Sequence, residues 1–204
     1  MSSSAPVFIR RDFLPAETAD ALLDYALANE GQFQPTLVGR QGEGLNNPKL
    51  RISLGTRDLG PFKPIVEAGV TDLVPEIVAA LRMTPIQPAR LEVEIVAHGD
   101  GAFYGRHTDF RRNPDSATIR ALSAVYYFHA RPRIFSGGAL RLYPTLSASP
   151  DTFIDVQPDH NSLAVFPSWM MHEVMPVHCP SGEFRDSRFS INCWAHVTRP
   201  QNST

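Results

Sequence analysis

His107 and Asp109 are separated by a single residue, Thr108. In an extended chain alternate side chains project to one face, so this imidazole and this carboxylate can share one ion. Two ligands do not hold a metal, and an H-x-D pair is common by chance, so a third ligand has to come from the other histidines: His98, His129, His160, His172, His178 and His196. His172 is the candidate. It follows the apolar run Leu163-Ala164-Val165-Phe166 and the turn Pro167-Ser168-Trp169, the pattern by which a rigid sheet presents a ligand at its end. Two imidazoles and one carboxylate on one face of an octahedron leave positions open for a co-substrate and dioxygen, the ligand set of non-haem Fe(II) oxygenases.

Rigid elements must position such a triad. Ala19, Leu22, Leu23, Tyr25, Ala26 and Leu27 fall on helical spacing between Pro15 and Glu30, and Gly31 stands where a stop belongs. From Phe62 to Met83 apolar residues repeat at three and four, with Pro64 and Pro75 predicting two helices or a kinked one. Between them, residues 35–61 are rich in Gly and Asn and predict loop or short strands with little packing of their own. After Pro88 the period changes to two. Leu91, Val93 and Ile95 alternate with Glu92, Glu94 and Val96, and further runs follow at 119–128, 138–143, 152–156, 162–166, 173–178 and 188–196. Helices followed by seven short strands predict a mainly β fold, an antiparallel sandwich or jelly roll with the helices on one outer face.

Composition bounds the partners. The 204 residues carry 19 Lys+Arg against 21 Asp+Glu, a formal charge of -2, without the basic excess that binding a phosphate backbone requires; nucleic acid is not expected as a partner. The length predicts one domain over 1–204, with helical support at about 15–83 and the β core at about 89–197. No apolar run reaches the roughly 20 residues that span a bilayer, and Met1 to Phe13 lack the apolar core of a secretory leader. Cys179 and Cys193 cannot build a disulfide framework. A cytoplasmic protein without a membrane partner is expected; the oligomeric state is not legible.

Five motifs in order resemble the prolyl 4-hydroxylase-like branch of the Fe(II)/2-oxoglutarate-dependent dioxygenases. They are Gly101 to Asp109, Ser123 to Phe128, Ser136 to Leu142, His172-Glu173-Val174 and Arg188 to Trp194. The resemblance covers about residues 89–197 and implies a double-stranded β-helix, agreeing with the jelly roll. It implies that His107, Asp109 and His172 hold Fe(II), with 2-oxoglutarate and O2 as co-substrates and ascorbate as a reductant. It implies that Arg188 grips the distal carboxylate of 2-oxoglutarate, a task suited to a guanidinium fork, with Tyr127 donating to the same carboxylate and Val125 and Leu140 as apolar neighbours. His98 stands where the branch usually has tyrosine, so it is expected as a co-substrate contact. The stretch from His172 to Arg188 is longer than usual in the branch, which leaves Arg185 as an alternative anchor. By strand parity Arg188, Ser190, Asn192 and Trp194 share one face, opposite Phe189, Ile191, Cys193 and Ala195; Trp194 on the polar face points to a lined cavity.

The expected activity is hydroxylation of a C–H bond, with a peptidyl, prolyl substrate first, a free amino acid or small metabolite as the alternative, and a non-catalytic metal-binding jelly roll as a third reading. Asp109 argues against halogenation, which needs a small residue there. Substrate choice is expected in residues 35–61 and in the 110–118 loop with Arg111 and Arg112. Arg106, Arg111, Arg112, Arg120, Arg131, Arg133 and Arg141 against Asp109 and Asp115 form a basic stretch that would favour a carboxylate-bearing substrate.

Overall fold

The computed structural model describes residues 7–38, 45–110, 116–144 and 152–199. Its strands and helices run, in chain order, β1 Phe8–Arg11, α1 Ala16–Ala28, β2 Gln34–Pro35, β3 Arg51–Ile52, β4 Leu54–Thr56, α2 Phe62–Ala80, β5 Arg90–His98, β6 Phe103–His107, β7 Thr118–Phe128, β8 Ser136–Gly137, β9 Leu140–Tyr143, β10 Ile154–Val156, β11 Ser162–Pro167, β12 Met171–Val174, β13 Val177–His178 and β14 Arg188–Thr198. A major sheet has the order β1-β11-β7-β14-β5-β4-β2 and a minor sheet the order β10-β9-β12-β6-β3, while β13 pairs with β8. Every pairing is antiparallel. The fold is the mainly β jelly roll with helices on one face that the strand pattern predicts.

β14 divides the molecule. Phe189, Ile191, Cys193 and Ala195 join the main core, where Val93, Ile95, Tyr126 and Phe128 of the same sheet meet Leu22 and Ala26 of α1 and Val66, Val70 and Ile77 of α2. Period two in the strands and period 3.6 in the helices supply matching apolar faces. On the far side Tyr127, Ala164 and Phe166 pack with Leu140, Leu142 and Met170, a smaller core joining the two sheets. The remaining side chains between the sheets line a cavity.

The structure refines three expectations. α2 is a single helix: Pro64 lies in its first turn, where no amide has an intrahelical acceptor, and Pro75 forfeits one hydrogen bond inside an element held by its buried face. The segment 35–61 contributes strands to both sheets, and Thr36, Arg51, Ser53 and Leu59 within it are buried. The run 173–178 is split into β12 and β13 around Pro176. Strand β1 carries no period-two signature, because it is set by its partner: Phe8 to Arg11 pair in register with Val165 to Ser162 of β11. Arg111 and Arg112 lie outside the described residues.

Asn161 ties the N-terminal segment to the sheet. Its side chain accepts from Leu14 N at 3.0 Å and Tyr126 Oη at 3.0 Å and donates to Leu14 O at 2.7 Å. Its backbone, at φ 56°, takes the left-handed conformation that Asn tolerates better than most residues. Asn161→Ala orphans buried donors and an acceptor and should cost about 2–4 kcal/mol, read as a lowered urea midpoint with unchanged m-value.

Candidate metal centre and its cavity

β6 and β12 lie side by side in the minor sheet, with His172 directly opposite His107 in the register. Asp109 follows two residues beyond β6 and is fixed from the other side: its amide and that of Phe110 both donate to Ser168 O, at 3.0 and 2.8 Å. Together the three side chains bring one ligand atom each within 4.8 Å of one another. His172 Nε2 lies 3.5 Å from Asp109 Oδ2, and His107 Nε2 lies 3.8 Å from Asp109 Oδ1.

The local contacts prepare these groups as ligands. His107 Nδ1 donates to Gly105 O at 2.8 Å and His172 Nδ1 to Met170 O at 2.9 Å. A carbonyl can only accept, so each Nδ1 carries its proton and each Nε2 presents a lone pair to the centre. Burial, reinforced by the neighbouring His172, lowers the His107 pKa to about 3 and keeps that lone pair free at neutral pH. Asp109 is buried, which by itself favours the acid, yet its pKa is lowered; the Ser123 hydroxyl, donating to Oδ2 at 2.7 Å, is the contact that favours the carboxylate. Two imidazoles with Nε2 turned to the centre and a carboxylate suit a divalent cation, and their one-sided placement leaves room for further ligands.

The triad opens into a cavity of about 290 Å³ between the sheets. His98, Val125, Leu140, Arg188 and Trp194 all line it, as do Ser190 and Asn192; Tyr127 lies fully buried against its inner end, with the Arg188 guanidinium 4.9 Å from its ring centroid. Arg185, in a 3-10 turn before β14, is exposed and does not line the cavity. Arg188 is 1% exposed. Its Nε donates to Gly138 O at 2.7 Å and its Nη1 to His98 Nδ1 at 3.4 Å. Gly138 is at φ 68° and a Cβ there would come within 2.6 Å of Arg188 Cδ, so only glycine lets the side chain lie flat.

This inner end holds buried donors without an acceptor. Arg188 Nη2, Tyr127 Oη and His98 Nε2 each have no hydrogen-bond partner. Burial, with Arg188 and then Arg51 nearby, keeps His98 neutral; since its Nδ1 accepts from Arg188, its Nε2 carries the hydrogen. Burial raises the Tyr127 hydroxyl to about 12 against the opposing pull of Arg188, so it too keeps its proton. Three orphaned donors around one guanidinium fit a carboxylate, the group that only accepts.

Of the four charged residues at the mouth, Arg120 belongs to the basic stretch legible in the sequence, whereas Arg51, Arg57 and Glu94 give no such signal. Arg51, Arg57, Glu94 and Arg120 join the lining because β3, β4, β5 and β7 converge there. Arg120 lies 4.1 Å from the Trp194 ring centroid and donates to Glu92 Oε2 at 2.9 Å; Arg57 reaches Glu92 Oε1 at 3.2 Å and His196 Nε2 reaches Oε2 at 3.1 Å. Burial would raise the Glu92 pKa, but the His196 hydrogen bond and the Arg120 charge prevail and set it at about 2. His129 is buried with Nε2 unpartnered, apart from this cavity.

A jelly roll that lines such a cavity with two imidazoles and a carboxylate presents the one-sided ligand set of a divalent-metal protein. Family comparison agrees: the model of the 2OG-Fe(II) oxygenase superfamily matches residues 93–196, and the chain belongs to that superfamily. It is 37% identical over 190 residues to an uncharacterized PKHD-type hydroxylase of Synechocystis sp., covering 90% of this chain and 61% of that relative's length. A prolyl-4-hydroxylase of Pseudomonas putida superposes with a TM-score of 0.69 at 24% identity, over 97% of this chain and 95% of the other. A prolyl hydroxylase of Trichoplax adhaerens, in complex with a hypoxia inducible factor oxygen degradation domain peptide fragment, gives 0.68 at 19% identity, over 96% and 84%. These structural likenesses are likenesses of fold.

Two outcomes follow. In anaerobic Fe(II) titrations with 2-oxoglutarate, His107→Ala, Asp109→Ala and His172→Ala should each lose the charge-transfer band of the wild type while keeping its far-ultraviolet circular dichroism; a variant that retains the full band does not carry a ligand. Glu92 has its pKa depressed on folding, from 4.5 to about 2, so its stabilisation is present above about pH 4.5 and lost as the pH falls towards 2. The stability gap between wild type and Glu92→Gln should therefore be widest near neutrality and close on acidification, measured by melting midpoints across that range.

Proposed function

We propose that this chain is a 2-oxoglutarate-dependent hydroxylase acting on a peptidyl substrate, with proline the first residue to test. The observation that carries the reading is the cluster of buried donors without an acceptor, Arg188 Nη2, Tyr127 Oη and His98 Nε2, at the inner end of the cavity that holds the His107, Asp109 and His172 triad. Bound Fe(II), with 2-oxoglutarate and O2, supplies the oxidising power to place one oxygen atom in an unactivated C–H bond as 2-oxoglutarate leaves as succinate and CO2.

The chain's own residues do the rest. His107 and His172 offer Nε2 lone pairs already aimed by the carbonyls of Gly105 and Met170, and Asp109 offsets one positive charge of the metal. Arg188, Tyr127 and His98 would take the distal carboxylate, with Arg188 held in place by Gly138 O. Val125 and Leu140 keep water from the cavity wall, which strengthens every charge interaction inside. Exposed apolar side chains beside the site support a chain-like substrate: Leu37 lines the cavity and Phe110 follows Asp109 directly. The peptide held by the Trichoplax neighbour on the same fold supports it further. The two free, buried cysteines suit a reducing, cytoplasmic setting.

The test is a succinate-formation assay against proline-containing peptides, free amino acids and a small-metabolite extract, with product read as a mass gain of one oxygen. Turnover with peptides is expected; turnover with free metabolites alone rejects the peptidyl reading, and none at all despite bound Fe(II) and 2-oxoglutarate favours a binding module. In the same assay Arg188→Ala should raise the 2-oxoglutarate requirement on the order of a hundredfold, because a buried charge loses its partner, and Arg185→Ala should leave it unchanged.

A further inference from the structure

A second arginine is buried in the cavity, and co-substrate binding gives it no task. Arg51, on β3 opposite Tyr104 of β6, is 7% exposed. Its Nε donates to Ser53 Oγ at 2.9 Å, and Ser53 Oγ is 2.7 Å from Thr36 Oγ1. Its guanidinium lies 4.8 Å from the Tyr104 ring centroid, and Tyr104 stacks on the metal ligand His107 with centroids 3.6 Å apart at 17°. These contacts occupy Nε and fix the guanidinium plane. They leave the Nη1 and Nη2 edge, the fork that matches a carboxylate, without a hydrogen bond among the described residues. Its acidic neighbour, Glu94 Oε2, forms an ion pair with Nη2 at 3.7 Å without a hydrogen bond.

Charge accounting makes the mouth positive. The mouth holds the guanidiniums of Arg51, Arg57 and Arg120 against the carboxylates of Glu92 and Glu94, and Glu92 takes both Arg120 and Arg57. In the function proposed above, a divalent cation with Asp109 and a doubly negative co-substrate with Arg188 cancel, so filling the inner cavity leaves the mouth one positive charge in excess. Arg57 can shed its share into water, its side chain being 60% exposed, whereas that of Arg51 is 8% exposed.

We propose that Arg51 is a specificity-determining residue that anchors a carboxylate of the substrate at the mouth of the cavity, so that the molecule oxidised here is acidic close to the reacting carbon. The proposal rests on the hydroxylase reading for its co-substrate and goes beyond it in naming the substrate's chemistry. The carboxylate can be an Asp or Glu side chain beside the target residue of a peptide, or the α-carboxylate of a free amino acid, whose ammonium would face Glu94.

Binding separates these without turnover. Protein loaded with Mn(II) and 2-oxoglutarate under anaerobic conditions is titrated calorimetrically with two matched pairs, N-acetyl-prolyl-glutamate amide against N-acetyl-prolyl-glutamine amide, and L-proline against L-prolinamide. The acid of at least one pair should bind about tenfold or more tighter than its amide, and the pair that discriminates identifies the source of the carboxylate. Arg51→Gln should bring that ratio close to one while keeping Mn(II) and 2-oxoglutarate affinities within about twofold of wild type, Arg51→Lys should retain part of it, and Glu94→Gln should raise it. Ratios near one in both wild-type pairs, or a ratio indifferent to Arg51→Gln, overturn the proposal. So does a loss of 2-oxoglutarate affinity in Arg51→Gln equal to that in Arg188→Ala, which would assign Arg51 to the co-substrate. Should Arg51→Gln fail to fold, Glu94→Gln decides: no rise in the ratio overturns the assignment. A protein that discriminates acid from amide yet oxidises neither would lose the hydroxylase reading and keep the Arg51 subsite.

Discussion

The register that sets His172 of β12 opposite His107 of β6 is the constraint on which the rest of the site depends. Backbone hydrogen bonds fix it, and a slip by one residue would turn one imidazole to the opposite face of the minor sheet. Asp109 closes the triad from the other direction. Its amide is held by Ser168 O at 3.0 Å and its carboxylate by Ser123 of the major sheet at 2.7 Å, so the third ligand reports the spacing between the sheets. The smaller core of Tyr127, Leu140, Leu142, Ala164, Phe166 and Met170 sets that spacing directly behind the centre. Packing and ligand geometry are therefore coupled: a core substitution that shifts one sheet against the other moves a ligand.

β14 carries the second half of the site by simple alternation. One face supplies Phe189, Ile191, Cys193 and Ala195 to the main core; the other supplies Arg188, Ser190, Asn192 and Trp194 to the cavity. Burying a guanidinium is costly, and Arg188 is only partly compensated in the protein, by Gly138 O and by a long contact to His98. The unmet donors, more than the shape of the cavity, fit an anionic group there. The same logic runs along β5, whose alternate residues Glu92, Glu94 and His98 face the cavity and its mouth while Val93, Ile95 and Ala97 face the helices.

The inner and outer parts of the cavity differ in how their charges are met. The inner part holds charged groups each fixed by a few contacts from the surrounding strands, without a charged protein partner for Arg188. The outer part is a network in which Glu92 receives Arg120, Arg57 and His196, and this network holds Arg120 against Trp194. Strands β2, β3 and β4, too short to persist alone, are fastened to β5 and β6 and carry Arg51 and Arg57 to the rim. Variation in these edge strands can alter the charge of the mouth without disturbing the metal ligands.

Local pattern was enough for the features that depend on neighbours in sequence. The H-x-D spacing puts His107 and Asp109 together, alternation in residues 188–195 separates a core face from a cavity face, and helical spacing locates α1 and α2 with their apolar stripes. Order among the motifs, more than any one of them, pointed to the family. Long-range pairing decided what local pattern cannot encode. β1 exists because β11 offers it an edge, Pro75 is tolerated because the sheet holds the helix around it, and Arg188 rather than Arg185 reaches the cavity because the turn before β14 leaves Arg185 in solvent. Arg51 and Glu94, 43 positions apart in the chain, meet only when the edge strand β3 of the minor sheet converges on β5 of the major sheet. An alternating Glu reads the same whether its face meets water or a cavity; only the opposing sheet determines which, because the period fixes the face and tertiary packing fixes what the face sees.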